Sequence, residues 1–276
     1  MHDIHTHIGQ FYDTKYDYHD IFKSLKNNGI TETTFAYLTP LFTESNPAID
    51  FYNAMTEETK EAVDFAKEIG LTVNPLYWID PMVLFGGITL DSIMKDLDYK
   101  GLVVHPFLND WNPSDEKRAN LLTKVFEFAK ENNYELYFHT GCSPTDNPLN
   151  FEKWFVEYPQ VKVHLAHCKD PEPIIELFSK YKNLVGDTAF CPEDSYKAIC
   201  DAGFKDRMFF GTDFPITHWY EHYGEQNFPA DEKSLTESYG RTLAQYKKIA
   251  KQFFIKNINS LLNNEKRSIY YGTKNF

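Results

Sequence analysis

Short apolar runs rich in β-branched and aromatic side chains recur near residues 2–7, 33–38, 71–77, 101–105, 134–139, 161–167, 183–189 and 207–212. Each has the length and composition of a strand buried on both faces of a parallel sheet. Between them lie stretches of helical periodicity, at about 17–28, 55–69, 89–97, 115–131, 148–158, 171–181, 192–202 and 232–263. From Asp115 to Glu131, for example, Leu121, Leu122, Val125, Phe126 and Ala129 fall on one helix face. Eight strands alternating with eight helices predict an α/β fold of the (β/α)8 TIM-barrel type, although an open doubly wound sheet shares the same local grammar. The longer stretches Thr39–Ala54 and Pro215–Asp231, rich in Pro, Asn and aromatics, would then stand over the C-terminal face as pocket walls.

Length agrees with that reading. The chain of 276 residues has room for a single barrel domain over 1–276 and none for a second catalytic domain. No run approaches the roughly 20 apolar residues that cross a bilayer, and Met1-His2-Asp3 does not open like a signal sequence, so a cytoplasmic protein without membrane contact is expected. Four cysteines, Cys142, Cys168, Cys191 and Cys200, lack paired metal-knuckle spacing and read as reduced structural thiols. A formal charge of −12 argues against nucleic acid as a partner, because a polyanion is bound through a basic footprint. It leaves a small-molecule substrate open, since that depends on the local field of a cleft.

The polar residues inside the apolar runs change the picture further. His5 and His7 sit two apart in the first strand, so both project to one face and can offer nitrogens to one metal ion; alone, they could equally be a polar strand end. His139 ends the fifth run, His167 the sixth and Asp213 the eighth. In a parallel barrel these C-terminal ends converge on one mouth. Imidazoles with a carboxylate suit a divalent transition metal such as zinc. The plain alternative for His139, His167 and Asp213 is a buried polar group hydrogen-bonded to a neighbouring loop. His164, three residues before His167, reads as a packing residue by strand parity, and His105 as either a substrate contact or structural. Phe42, Tyr77, Trp78, Phe107, Trp111, Phe190, His218 and Trp219 follow strand ends and are candidate pocket lining, with loop packing as the alternative.

The motifs Asp3-Ile-His-Thr-His7, Tyr137-Phe-His-Thr-Gly141, Leu165-Ala-His-Cys168, Phe210-Gly-Thr-Asp-Phe-Pro215 and the tail Phe254-Ile-Lys-Asn-Ile-Asn-Ser-Leu-Leu262 occur in that order. Together they resemble the amidohydrolase superfamily, in the branch of the aminocarboxymuconate-semialdehyde decarboxylase-like enzymes known as amidohydrolase family 2. The resemblance implies metal ligands at His5, His7, His139 and Asp213, with His167 as a proton-transfer and polarising group. Binuclear relatives carry a carboxylated lysine at the end of strand four, where this chain reads Gly101-Leu-Val-Val-His-Pro106, so one divalent ion, with zinc as the expectation, is implied. A symmetric homodimer is a further expectation of the resemblance.

These residues imply a hydrolase of a small amide, ester or lactone, in which a divalent ion lowers the pKa of water from 15.7 towards about 7 and polarises the carbonyl. Asp213 would collect the water's proton, and His167 would stabilise the oxyanion and assist the leaving group. A nonoxidative decarboxylase built on the same constellation is the principal alternative. A TatD-type nuclease fits less well, because its pattern calls for a mid-barrel glutamate where His105 stands, and because of the negative charge. An inactive, metal-bound interaction protein is the reading outside enzymology. No arginine among Arg118, Arg207, Arg241 and Arg267 stands as an obvious carboxylate clamp.

Overall fold

A computed structural model of the chain describes residues 1–38, 48–141 and 143–253. The chain opens with β1 (His2–Phe11), folds back through a short antiparallel β2 (Thr14–Tyr16), and continues into α1 (Tyr18–Asn27). Then come β3 (Glu32–Leu38), α2 (Ala48–Glu68), β4 (Thr72–Trp78), the short α3 (Pro81–Phe85) and α4 (Leu90–Asp96), β5 (Gly101–Val104), α5 (Glu116–Asn132) and β6 (Glu135–Phe138). The second half runs α6 (Glu152–Glu157), β7 (Val163–Leu165), α7 (Pro171–Lys180), β8 (Leu184–Asp187), α8 (Glu193–Asp201), β9 (Met208–Phe209), α9 (Ile216–Glu221) and α10 (Glu232–Phe253).

Apart from β2, the strands pair in parallel with their neighbours in the order β1-β3-β4-β5-β6-β7-β8-β9. The two ends of this sheet meet. Ile4 N donates to Phe210 O (3.0 Å), Asp213 N to His5 O (2.8 Å) and His7 N to Phe214 O (2.7 Å), beside a parallel bridge from Thr6 to Phe214. The seam therefore joins the residues after β9 to β1, and it is the (β/α)8 arrangement that the alternation predicts.

Asp3 reinforces the seam. Its buried carboxylate accepts Thr212 Oγ1 at 2.6 Å, the Tyr239 hydroxyl at 2.7 Å, and the backbone N–H groups of His5 and Thr212, both at 3.2 Å. One side chain thus ties β1, the end of the last strand and α10 together.

The period of two along the strands sorts the core into two layers. Phe35, Tyr77, Leu102, Val104, Leu136 and Phe138 face outward into a large apolar layer shared with the helices. Ala36, Leu38, Leu76, Trp78, Val103 and Tyr137 face inward and form a small apolar cluster with Ile216. In α5, Leu122, Val125, Phe126 and Ala129 are the buried face, with Asp115 capping the Arg118 N–H at 2.9 Å.

Three short elements were not legible from periodicity: β2, α3, and α9, which occupies part of the stretch read as pocket wall. Thr39 to Pro47 of the other wall, Phe42 within it, Cys142 and the tail motif Phe254–Leu262 lie outside the described residues.

Candidate active site

The inner face of β1 presents His5 and His7, and the seam brings Asp213 against them. Gly211 makes this approach possible: a Cβ there would lie 2.8 Å from His5 Cβ and 3.3 Å from Asp187 Cβ. His167 (φ 70°) and Asp213 (φ 59°) take left-handed backbone just past their strands, a conformation His and Asp tolerate better than most and one that re-aims a side chain.

Hydrogen bonding fixes the tautomers. His7 Nδ1 lies 3.2 Å from the Ala36 carbonyl oxygen, which only accepts, so that nitrogen carries the proton and Nε2 the lone pair. His5 Nδ1 donates to Asp187 Oδ2 at 2.7 Å, with the same consequence. The two Nε2 atoms converge on Asp213 Oδ1, at 3.4 Å from His5 and 2.9 Å from His7. Three lone-pair atoms so placed call for a cation between them.

The local electrostatics make the same demand. Burial opposes charge on His5, but the Asp187 and Asp213 carboxylates prevail and lift it to about 9. Burial likewise opposes the Asp213 anion, and His5 and His7 nevertheless hold it down to about 2. His5, His7 and Asp213 offer ligand atoms within 4.8 Å of one another, and two imidazoles with a carboxylate suit a first-row divalent ion. The residues fit the ion.

His139 and His167 stand differently from these three. His167 Nδ1 lies 3.0 Å from the Ala189 carbonyl oxygen and must donate to it, so its Nε2 accepts from His139 Nδ1 at 2.9 Å. This leaves the lone pair of His139 on Nε2, 3.9 Å from Asp146 Oδ2. Among the described residues, His139 does not fall in a ligand cluster with Asp213; it reaches the site through His167. Burial keeps both rings neutral, His167 down to about 4 and His139 well below its ordinary value. His105 stacks on His139 at 3.7 Å between centroids and on Trp78 at 5.3 Å, and burial holds it neutral too.

Asp187, at the end of β8, has no place in the sequence reading and a central one in the structure. Fully buried, it accepts four bonds: His5 Nδ1 (2.7 Å) and His164 Nε2 (2.9 Å) on Oδ2, and the N–H groups of His167 (2.9 Å) and Ala189 (3.0 Å) on Oδ1. Burial alone would raise its pKa, but His5 and His164 drive it well below the carboxylate range. A carboxylate behind a metal-ligating histidine fixes ring orientation and tautomer. The signal available in sequence was a lone aspartate closing the otherwise apolar Leu184-Val-Gly-Asp187. His164 is correspondingly more than packing. Strand pairing ends at Leu165 and the left-handed backbone at His167 breaks the parity, so both histidines turn towards the barrel interior.

Above these residues the barrel encloses a cavity of about 790 Å³ whose wall includes Trp78, Phe107, Leu108, Tyr137, Phe190 and Ile216. Of the expected lining, Trp78, Phe107 and Phe190 are in place. Tyr77 and Trp111 belong to the outer core instead, His218 is buried against Ser234 Oγ at 2.8 Å, and Trp219 packs on Phe11 and Tyr12.

A family model described as amidohydrolase matches residues 55–248, more than half of the chain. No curated protein matches it. Among solved structures, one titled amidohydrolase II is 14% identical, with a TM-score of 0.56, over 88% of this chain and 99% of that one. An uncharacterised TIM-barrel protein from Bordetella bronchiseptica is 18% identical, with a TM-score of 0.51, over 81% of each chain. A 5-carboxyvanillate decarboxylase from Novosphingobium aromaticivorans, solved with manganese and 4-hydroxy-3-methoxy-5-nitrobenzoic acid, is 13% identical, with a TM-score of 0.54, over 84% of this chain and 78% of that one. These likenesses carry the fold, and the family match carries the membership: the chain belongs to the amidohydrolase family, as a metal-dependent enzyme.

Proposed function

We propose that this enzyme is a nonoxidative decarboxylase of a small aromatic acid, with one divalent ion held by His5, His7 and Asp213. The observation that carries this reading is the commitment of both His167 ring nitrogens, to Ala189 O and to His139. Hydrolysis of an amide, ester or lactone needs both a base for water and an acid for the leaving group. His167, the expected acid, is neutral and has no N–H left to present. Decarboxylation needs an anchored carboxylate and one proton delivered to carbon.

The cavity supports the same choice. Its aromatic and aliphatic wall offers a planar ring flat contacts. When bound, the ion would anchor the substrate's oxygens and draw off electron density. Asp187 would hold His5 Nε2 towards the centre, and the Ala36 carbonyl would do the same for His7. As the C–C bond breaks, its electron pair stays on the ring carbon, carbon dioxide leaves, and a proton takes the vacated position. The proton comes from solvent water, and Asp213, an anion at rest, is the side chain we assign to relay it from water to that carbon.

The manganese held by the 5-carboxyvanillate decarboxylase makes manganese, beside zinc, a metal to assay. The test is a panel of hydroxybenzoic acids set against amides, esters and lactones. Carbon dioxide release matched to loss of acid is expected. Hydrolysis of the second group without carbon dioxide from the first would return the assignment to a hydrolase.

A further inference from the structure

We propose that Lys169 selects an anionic group on the substrate, so that the cavity takes a planar aromatic anion in preference to a neutral ring of the same shape; the aromatic-acid class deepens the decarboxylase reading and rests on it. Among the described residues of the cavity wall, Lys169 is the sole lysine or arginine. The described arginines lie outside that wall. Arg118 pairs with Asp110 at 2.8 Å, Arg241 with Glu221 at 2.9 Å, and Arg207 donates to the carbonyls of Phe178, Tyr181 and Leu184.

Position gives Lys169 its reach. It follows His167 by two residues, in the turn between β7 and α7 on the side of the barrel that carries the site. Its stem lies against Gly141, where a Cβ would come within 2.9 Å of Lys169 Cβ and 3.3 Å of its Cγ, so the glycine two residues past His139 leaves room for the lysine. The ammonium then stands 5.9 Å from the centre of the Phe190 ring, itself part of the wall. Its charge is felt by both His139 and His167.

The ion that His5, His7 and Asp213 would hold can engage one set of substrate oxygens. Lys169 places a further positive charge on the wall of the same cavity, where it can meet an anionic group directly, on an aliphatic stem that adds to the apolar wall.

The test uses the metal-loaded full chain and two probes of one shape, benzoate and benzamide, titrated calorimetrically into wild type, Lys169→Met and Lys169→Arg, each with metal content verified. Lys169→Met should weaken benzoate about tenfold, the scale of one charge-assisted hydrogen bond, and benzamide less than about twofold; Lys169→Arg should recover most of the benzoate affinity. Equal effects on both probes, no effect on either, or a wild type that does not prefer benzoate would each overturn the proposal. Because the readout is binding, it separates from the reaction assignment. Charge-selective binding without carbon dioxide release from any acid sinks the decarboxylase and keeps Lys169. Carbon dioxide release with benzoate binding unchanged in Lys169→Met sinks Lys169 alone.

Discussion

Asp187→Asn isolates the support behind the metal centre, because the four groups that reach this carboxylate are all donors. An asparagine keeps one accepting oxygen, enough for one pair of partners. If its oxygen serves the His167 and Ala189 N–H groups, its NH₂ group faces His5 Nδ1–H and His164 Nε2–H, donor against donor. His5 can relieve the clash by moving its proton to Nε2, the atom that faces Asp213 at 3.4 Å, which would remove a ligand of the ion we propose there. If the amide flips, two buried backbone donors are stranded at about 1–3 kcal/mol each. Loss of a carboxylate behind a ligating histidine weakens metal binding by about 10–100-fold, or roughly 1.4–2.7 kcal/mol. The assay is competition between the protein and a chelator of known affinity, run for wild type and variant with zinc and with manganese. Variant affinity within about twofold of wild type would refute the role of Asp187 and the tautomer argument with it.

Other perturbations reach separate parts of the molecule. His5→Ala and His7→Ala should empty the site by elemental analysis, whereas His167→Ala should retain most of the metal; equal loss in all three would move His167 among the ligands. Gly211→Ala should also lower metal content, since its new Cβ would sit 2.8 Å from His5 Cβ, and full occupancy would show that β1 can give way. Tyr239→Phe deletes a 2.7 Å bond to the buried Asp3 carboxylate and should cost about 1.5–3 kcal/mol in urea unfolding; no change would show that the seam does not depend on it. Burial lifts Glu135 to about 7 against the pull of Lys162 at 3.5 Å. The folded state therefore holds this proton more tightly than the unfolded chain, and the associated stability is full below the unfolded value and lost as pH rises through about 7. Glu135→Gln should thus gain on wild type between about pH 5 and 8, by roughly 1–2 kcal/mol at the upper end; a pH-independent difference would contradict the shift.

What the sequence disclosed and withheld follows from physical range. Eight largely apolar runs announce eight strands because burial on both faces leaves few polar positions inside them, and a histidine or aspartate within or at the end of such a run stands out for the same reason. His5 and His7 drew notice by their spacing of two inside the first run and Asp213 by its place at the end of the last, and the structure brings the three side chains together. Asp187 was overlooked although it ends a run in the same manner, since its value lies in four partners from other segments that no local pattern encodes. Parity misplaced His164 because it assumes an unbroken strand, and the backbone leaves β conformation before His167. Tyr77, Trp111 and His218 were drawn to the pocket by following strand ends, but a residue beside a mouth can turn to either layer, and these turn outward or into loop packing. Lys169 had no motif to mark it; only the closure of the barrel places its charge in the cavity wall.

The reaction we propose breaks a C–C bond and returns one proton to carbon at the centre formed by His5, His7 and Asp213. Turnover of an accepted aromatic acid in doubly labelled water, D₂¹⁸O, followed by mass spectrometry of the product, tests this most directly. We expect one deuterium at the carbon that bore the carboxylate for each carbon dioxide released, no ¹⁸O in the product ring or its substituents, and loss of both deuterium and carbon dioxide in metal-saturated Asp213→Asn. A product that instead carries ¹⁸O in a new carboxylate or hydroxyl, without deuterium on carbon, would mean that water was the nucleophile and would contradict that reaction.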